Sequence, residues 1–177
     1  MNIQSTKSSE EITFKHLAKS DLPLLTTWLN KPHVKAWWDE HLTPDEIKEQ
    51  YASRIGDQIV VPFMVYLDEK PIGFIQYYDA AKEGGGWWPD EVEGTIGIDQ
   101  FIGEENYMGR GYGTKIIAAF VRKLFEDPAV KKIILDVSPK NVKAIHCYEK
   151  VGFVFVKEID TPDGHALMME IKRNTEV

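Results

Sequence analysis

The chain has 177 residues, of which 43% are hydrophobic and 28% charged, with a formal net charge of −7. That is enough chain for one domain with a proper core, and the acidic balance argues against a nucleic-acid partner, which calls for a basic face. A single cysteine, Cys147, excludes an internal disulfide framework, no window is apolar for long enough to span a bilayer, and the five histidines lack metal-ligand spacing.

Residues 1–10 are polar and lack the apolar core of a signal peptide, so a disordered lead-in to a cytoplasmic protein is expected, with one domain over 11–173. Ile12, Phe14 and His16 alternate as a first strand. Ser20-Asp21 offers a cap to a helix holding Leu22, Leu24, Leu25, Trp28 and Leu29, and Asn30-Lys31-Pro32 ends it. Trp37 and Trp38 stand beside Asp39 and Glu40, and Thr43-Pro44-Asp45-Glu46 caps a second helix running to about Ser53. Two strand patterns, 59–67 and 71–79, flank Asp68-Glu69-Lys70 and predict a hairpin.

Between 80 and 93 the pattern lapses into a glycine-rich stretch ending Trp87-Trp88-Pro89-Asp90-Glu91. A loop of that length is usually functional. Its paired tryptophans are either one core residue and one cover, or an aromatic wall with carboxylates around it, fit to stack a ring and attract its ammonium groups. A central strand, Thr95–Ile102, leads to Met108-Gly109-Arg110-Gly111-Tyr112-Gly113-Thr114, and Ile116, Ile117, Phe120, Val121 and Leu124 continue at helical spacing.

Alternate glycines before a helix start free the backbone and expose unpaired N–H groups, a place where phosphate binds. The spacing is neither the dinucleotide fingerprint nor a P-loop, because Thr114 precedes Lys115. Taken alone, the glycines fit a phosphate cradle and a plain helix-capping turn equally. Lys132–Val137 reads as a strand parallel to the central one, Asn141 starts a helix that Gly152 ends, and a final hairpin turns over Thr161-Pro162-Asp163-Gly164.

The order of strand, glycine loop, helix and strand, followed by N-x-x-A-x-x-x-Y-x-x-x-G-F over Asn141–Phe153, resembles the GCN5-related N-acetyltransferase family. Within it the chain is most similar to the aminoglycoside 6′-N-acetyltransferases. Trp28-Leu29-Asn30, Ala36-Trp37-Trp38, Glu49-Gln50-Tyr51, Gly86-Trp87-Trp88, Gly97-Ile98-Asp99-Gln100, Cys147-Tyr148-Glu149-Lys150 and Thr161-Pro162-Asp163-Gly164 carry that likeness. The resemblance implies a mixed α/β, α+β-type fold with a splayed, mostly antiparallel sheet flanked by helices.

The resemblance also implies acetyl-CoA as co-substrate, held by Ile102, Gly109, Arg110, Gly111, Tyr112, Gly113, Thr114 and Asn141. It implies Asp99 as acceptor of the amine proton and Tyr148 as acid for the thiolate. The cationic amine would meet Trp37, Tyr51, Trp87, Trp88, Asp99, Asp136 and Asp163, in a monomer or homodimer with no membrane or nucleic-acid partner. Two departures stand out: Met108, where the family usually has Gln or Arg, and Gly85, where close relatives carry an aspartate. The alternatives are transfer to a siderophore precursor or another small amine, and a module that binds acetyl-CoA or a cationic drug without turnover.

Overall fold

The computed structural model describes residues 10–38, 41–83 and 87–174; Asp39, Glu40, Gly85 and most of the expected lead-in lie outside these. Seven strands form one sheet: β1 (Ile12–His16), β2 (Val60–Leu67), β3 (Lys70–Asp79), β4 (Thr95–Ile102), β5 (Lys132–Val137), β6 (Val154–Thr161) and β7 (Gly164–Lys172). Their order is β1-β2-β3-β4-β5-β7-β6, antiparallel throughout except between β4 and β5. The helices are α1 (Leu22–Leu29), α2 (Pro32–Lys35), α3 (Pro44–Ser53), α4 (Tyr112–Leu124) and α5 (Val142–Val151).

Alternation along the strands gives the sheet two dressed faces. On one, Ile98, Ile133, Leu135 and Met169 pack under α4 and α5, with Ile116, Ile117, Phe120 and Tyr148 facing down onto them. On the other, Met64 and Phe74 lie under α1–α3 against Leu25, Trp28 and Tyr51. Beyond them on the same face, Tyr78, Ile134 and Met168 carry Trp88.

Local chemistry accounts for most of the boundaries. Thr43 and Glu46 form a reciprocal capping box on α3. Asn141 caps α5 by accepting from the Ala144 N–H, and Gly152 closes it at φ +113°. The cap expected of Ser20-Asp21 takes another form. The Asp21 carboxylate accepts from the Ala18 N–H and closes a 3-10 turn over Lys19–Asp21, from which α1 runs on directly. The short α2 is an addition, built where Pro32 can start a helical turn.

The join between β4 and β5 positions the site. Only Thr95↔Lys132, Ile96↔Ile133 and Gly97↔Ile134 pair; beyond Gly97 the strands part. The N–H of Gly103 donates to the Ile72 carbonyl on the β3 side. By antiparallel alternation, Ile98, Gln100 and Ile102 therefore turn their peptide groups the other way, into the opening.

Candidate active site

Successive residues of β4 face opposite sides of the sheet, so Asp99 and Gln100 address different layers. Asp99 lies on the face of the tryptophan loop, opposite Gln76 in the β3 register. Its Oδ2 accepts a hydrogen bond from Gln76 Nε2 at 2.8 Å, and Arg54 Nη1 donates to Gln76 Oε1 at 3.1 Å. Asp136 projects from β5 on the same face, aligned with Met168. Burial, and then the charge of Asp99, push the Asp136 carboxyl up to about 7, with a further contribution from Asp163 on the β6–β7 turn.

Tyr148 approaches from the other face, on α5. It is 7% exposed, and Gln100 Nε2 donates to its hydroxyl oxygen. Burial and then Asp99 raise its pKa, so the phenol stays protonated at neutral pH. A hydroxyl that accepts from an amide keeps its own proton to donate elsewhere. Gln100 Oε1 is buried without a protein partner, an acceptor at the mouth of the β4–β5 opening.

The glycine loop closes this end. Gly109 and Gly111 hold left-handed φ of +69° and +83°, and a Cβ at either would meet nothing within 4 Å. Gly111 is the N-cap of α4, so the helix begins at Tyr112, one residue earlier than the glycine pattern suggests. The N–H groups of Tyr112, Gly113 and Thr114 precede the first intrahelical bond, Lys115 N–H to Gly111 O. A Cβ at Gly113 would sit 3.6 Å from Cys147 Sγ and 4.0 Å from Ile102 Cδ1, so the loop, α5 and the end of β4 converge there. Arg110 is exposed, with its Nη1 on the Asn106 carbonyl and its guanidinium 5.6 Å from the Tyr112 ring centroid. Tyr112 is itself buried, its hydroxyl donating to Glu10. An oxygen-rich anion fits such a ring of backbone N–H donors.

The aromatic residues divide. Trp88 is 6% exposed and donates its indole N–H to the Tyr78 hydroxyl at 2.8 Å, while Trp87 is half-buried against the same cluster. The paired wall is therefore one core residue and one cover. Trp37 is 54% exposed and free to stack; Trp38 lies edge-on to Phe74 and Phe101. Tyr51 is among the residues expected to meet the amine. It is fully buried, edge-on to Phe74 with the Arg54 guanidinium 4.7 Å above its ring, and so forms part of the wall behind the site. Asp163 is exposed. Glu91 is engaged by Lys132 at 2.8 Å, which pins the tryptophan loop to β5 and removes one carboxylate from the expected set.

Sequence reasoning missed several polar groups that set this geometry. Gln76 interrupts an apolar strand as Asp99 does, and that interruption was a usable signal. Arg54, Gln100 and Tyr78 carried none, because each gains its role from a residue distant in sequence. A second clamp fastens α1 and α2 to the end of β4. The indole of Trp28 donates to Glu104 at 2.7 Å, Lys31 donates to the Gly103 carbonyl, and His33 Nε2 bonds the Ile102 carbonyl at 3.0 Å. The indole hydrogen bond, with Lys31 beside it, holds the Glu104 carboxyl below its ordinary range.

Among the described residues no group of three histidine, cysteine or acidic side chains could hold a metal, and no helix is long and apolar enough to cross a membrane. A sequence profile of the acetyltransferase (GNAT) domain matches residues 18–161. An aminoglycoside N(6′)-acetyltransferase type 1 from Klebsiella pneumoniae is 40% identical over 169 residues, covering 93% of this chain and 84% of that protein. The solved structure of the aminoglycoside acetyltransferase AAC(6′)-Ib with coenzyme A is 41% identical, with a TM-score of 0.87 over 92% of this chain and 95% of that one. AAC(6′)-Ib in complex with paromomycin and acetyl-CoA is 40% identical, with a TM-score of 0.88 over 93% and 94% of the two chains.

Proposed function

The chain belongs to the acetyltransferase (GNAT) family, and from that footing we propose that it moves the acetyl group of acetyl-CoA onto the 6′-amine of aminoglycosides. The observation that carries this reading is the parting of β4 and β5 beyond Gly97, with Asp99 and Asp136 on one face and Tyr148 on the other. Acetyl-CoA, when bound, supplies a thioester activated toward an amine.

The chain's own groups do the rest. The N–H groups from Gly109 to Thr114 receive the pyrophosphate, and the outward peptide group of Gln100 and the Ile102 N–H line the path of the extended arm. Asn141 caps α5 and so sets the height of Tyr148 in the opening. Asp99, held as an acceptor by Gln76, takes the proton of the attacking ammonium. Tyr148 gives its proton to the departing thiolate. These are general base and general acid roles, each worth ~10²–10⁴-fold in rate. Asp163 adds negative charge that draws another ammonium group, Asp136 offers a carboxyl that ionises as a cation approaches it, Trp37 offers a face for a sugar ring, and Trp87 covers the loop.

Gly85 removes a carboxylate that close relatives carry. Glu83 supports a substitute role, because its charge falls on Tyr78 beside the site. The net charge of −7 favours encounter with a polycation.

The test is free-thiol release with a panel of amines, followed by NMR location of the new acetyl group. Kanamycin and tobramycin, which have a 6′-amine, should be acetylated there; paromomycin, with a 6′-hydroxyl, should give no N-acetylation at that position. Turnover of hydroxylysine-type amines with none of kanamycin would overturn the assignment of substrate.

A further inference from the structure

The two carboxylates of the site, Asp99 on β4 and Asp136 on β5, lie on one face of the sheet and are close enough that the charge of one raises the pKa of the other. Something must decide which holds the charge. Gln76 bridges to Asp99 from β3, and at 6% exposure it has few alternatives for its amide. A side-chain amide presents a donor at one end and an acceptor at the other, and on geometry alone either end could face Asp99.

Arg54 removes that ambiguity. It is the C-cap residue of α3, half-buried, with its guanidinium 4.7 Å above the Tyr51 ring, and Nη1 reaches Gln76 Oε1 at 3.1 Å. A guanidinium has donors only, so the amide oxygen must point to Arg54 and the NH₂ group to Asp99. A hydrogen bond donated to a carboxylate favours its charged form. Around Asp99, Arg54 on α3 stands behind Gln76, while Tyr78 on β3, Asp136 on β5 and Tyr148 on α5 feel its charge. The two phenols stay neutral, and a charge on Asp136 disfavours one on Asp99. The polarised amide opposes that effect.

We propose that Arg54 is a positioning residue: by fixing the Gln76 amide it selects Asp99, and not Asp136, as the ionised member of the carboxylate pair. The proposal rests on Asp99 being the proton acceptor. Without Arg54 the amide can turn by half a rotation and set its oxygen against Asp99, which then holds a proton to higher pH.

The experiment is the pH dependence of kcat/KM for kanamycin in the wild type, Arg54→Met, Arg54→Lys, Gln76→Glu and Asp99→Asn, with thermal melting as a control. Arg54→Met should move the acid limb up by about one pH unit, a ~10-fold loss on that limb with little change at pH 8.5. Arg54→Lys, still a pure donor, should restore most of the wild-type limb. Gln76→Glu keeps a partner for Arg54 but sets a second carboxylate against Asp99, so its acid limb should rise at least as far. An Arg54→Met profile equal or parallel to wild type at every pH would overturn the proposal. If that variant does not fold, a wild-type limb in Gln76→Glu does the same. Asp99→Asn separates the two readings: full turnover in that variant removes the acceptor role itself, whatever Arg54 does.

Discussion

Replacing Gly97 by alanine tests how the tryptophan loop is held to the sheet. A Cβ there would overlap Cε2 and Cζ of the Tyr78 ring and stand 2.5 Å from its hydroxyl oxygen. Non-bonded contact needs about 3.5–4.0 Å, so the ring must withdraw by roughly 1 Å or more. Tyr78 has little room to do so, being 6% exposed and holding the Trp88 indole N–H at 2.8 Å. Overpacking of this kind costs about 1–3 kcal/mol. A buried indole donor left unpaired adds about 1–3 kcal/mol. The variant should lose roughly 2–6 kcal/mol, and at roughly 2–4 °C per kcal/mol for a chain of this size its Tm should fall by about 4–24 °C.

Urea unfolding followed by tryptophan fluorescence measures the first effect, and the KM for kanamycin measures the second, since the proposed acceptor site lies on the face of the sheet that the loop covers. Tyr78→Phe serves as the partial case, losing only the hydrogen bond and about 1–3 kcal/mol. An unchanged midpoint in Gly97→Ala would refute the packing of Tyr78 on β4. A large loss of stability with an unaltered KM would refute the link from that packing to the acceptor site.

Gly111→Asp should fold, because its side chain enters open space, while calorimetric titration should find acetyl-CoA affinity lowered by about tenfold or more, ~1.4 kcal/mol, as a carboxylate meets the pyrophosphate. Asp99→Asn should lower kcat by ~10²–10⁴-fold with acetyl-CoA binding intact, and Tyr148→Phe should slow turnover less, because water can replace a phenol as acid; rapid-quench turnover of both checks the pair. Asp136, whose folded pKa of about 7 exceeds its ordinary 3.8, binds more protons folded than unfolded in the window between. The wild type therefore loses stability as pH rises from about 4 to 7, and Asp136→Asn should flatten that slope and gain roughly 2–4 kcal/mol at pH 8 relative to pH 5 in urea titrations.

The sequence and the structure agree where local chemistry governs. Alternation, caps and glycines delimit β2 to β5 and α3 to α5 within a residue or two, because a strand period, a capping box at Thr43 and a left-handed Gly152 are all short-range signals. The family resemblance and the fold agree as well, since the glycine loop and the Asn141–Phe153 segment are contiguous. What was not legible depends on long-range partners. Asp21 looks like a helix cap until Ala18 turns back to use its carboxylate. Tyr51 reads as a substrate contact, and nothing near it in sequence shows that Phe74, more than twenty residues away, closes over it. Trp88 and Trp87 are neighbours with the same side chain, and only the Tyr78 hydroxyl distinguishes them. Glu91 looked like part of a substrate-facing acidic cluster, yet Lys132 claims it.

The shortness of the β4–β5 pairing has a mechanical side. Three residue pairs are all that hydrogen-bond β1–β4 to β5–β7 within the sheet. The α4–α5 layer and its large apolar cluster bind the two halves from one side, and only the smaller Tyr78–Trp88–Ile134–Met168 cluster with the Glu91–Lys132 ion pair does so from the other. This seam is where the molecule should yield first. Amides of Gln100 and Ile102 that face the opening should exchange with solvent sooner than those of β2 and β3, which are paired on both edges. A ligand arm lying along β4 would act as an extra strand across the seam, slowing exchange on both banks at once, so acetyl-CoA would serve as a structural staple as well as an acyl donor.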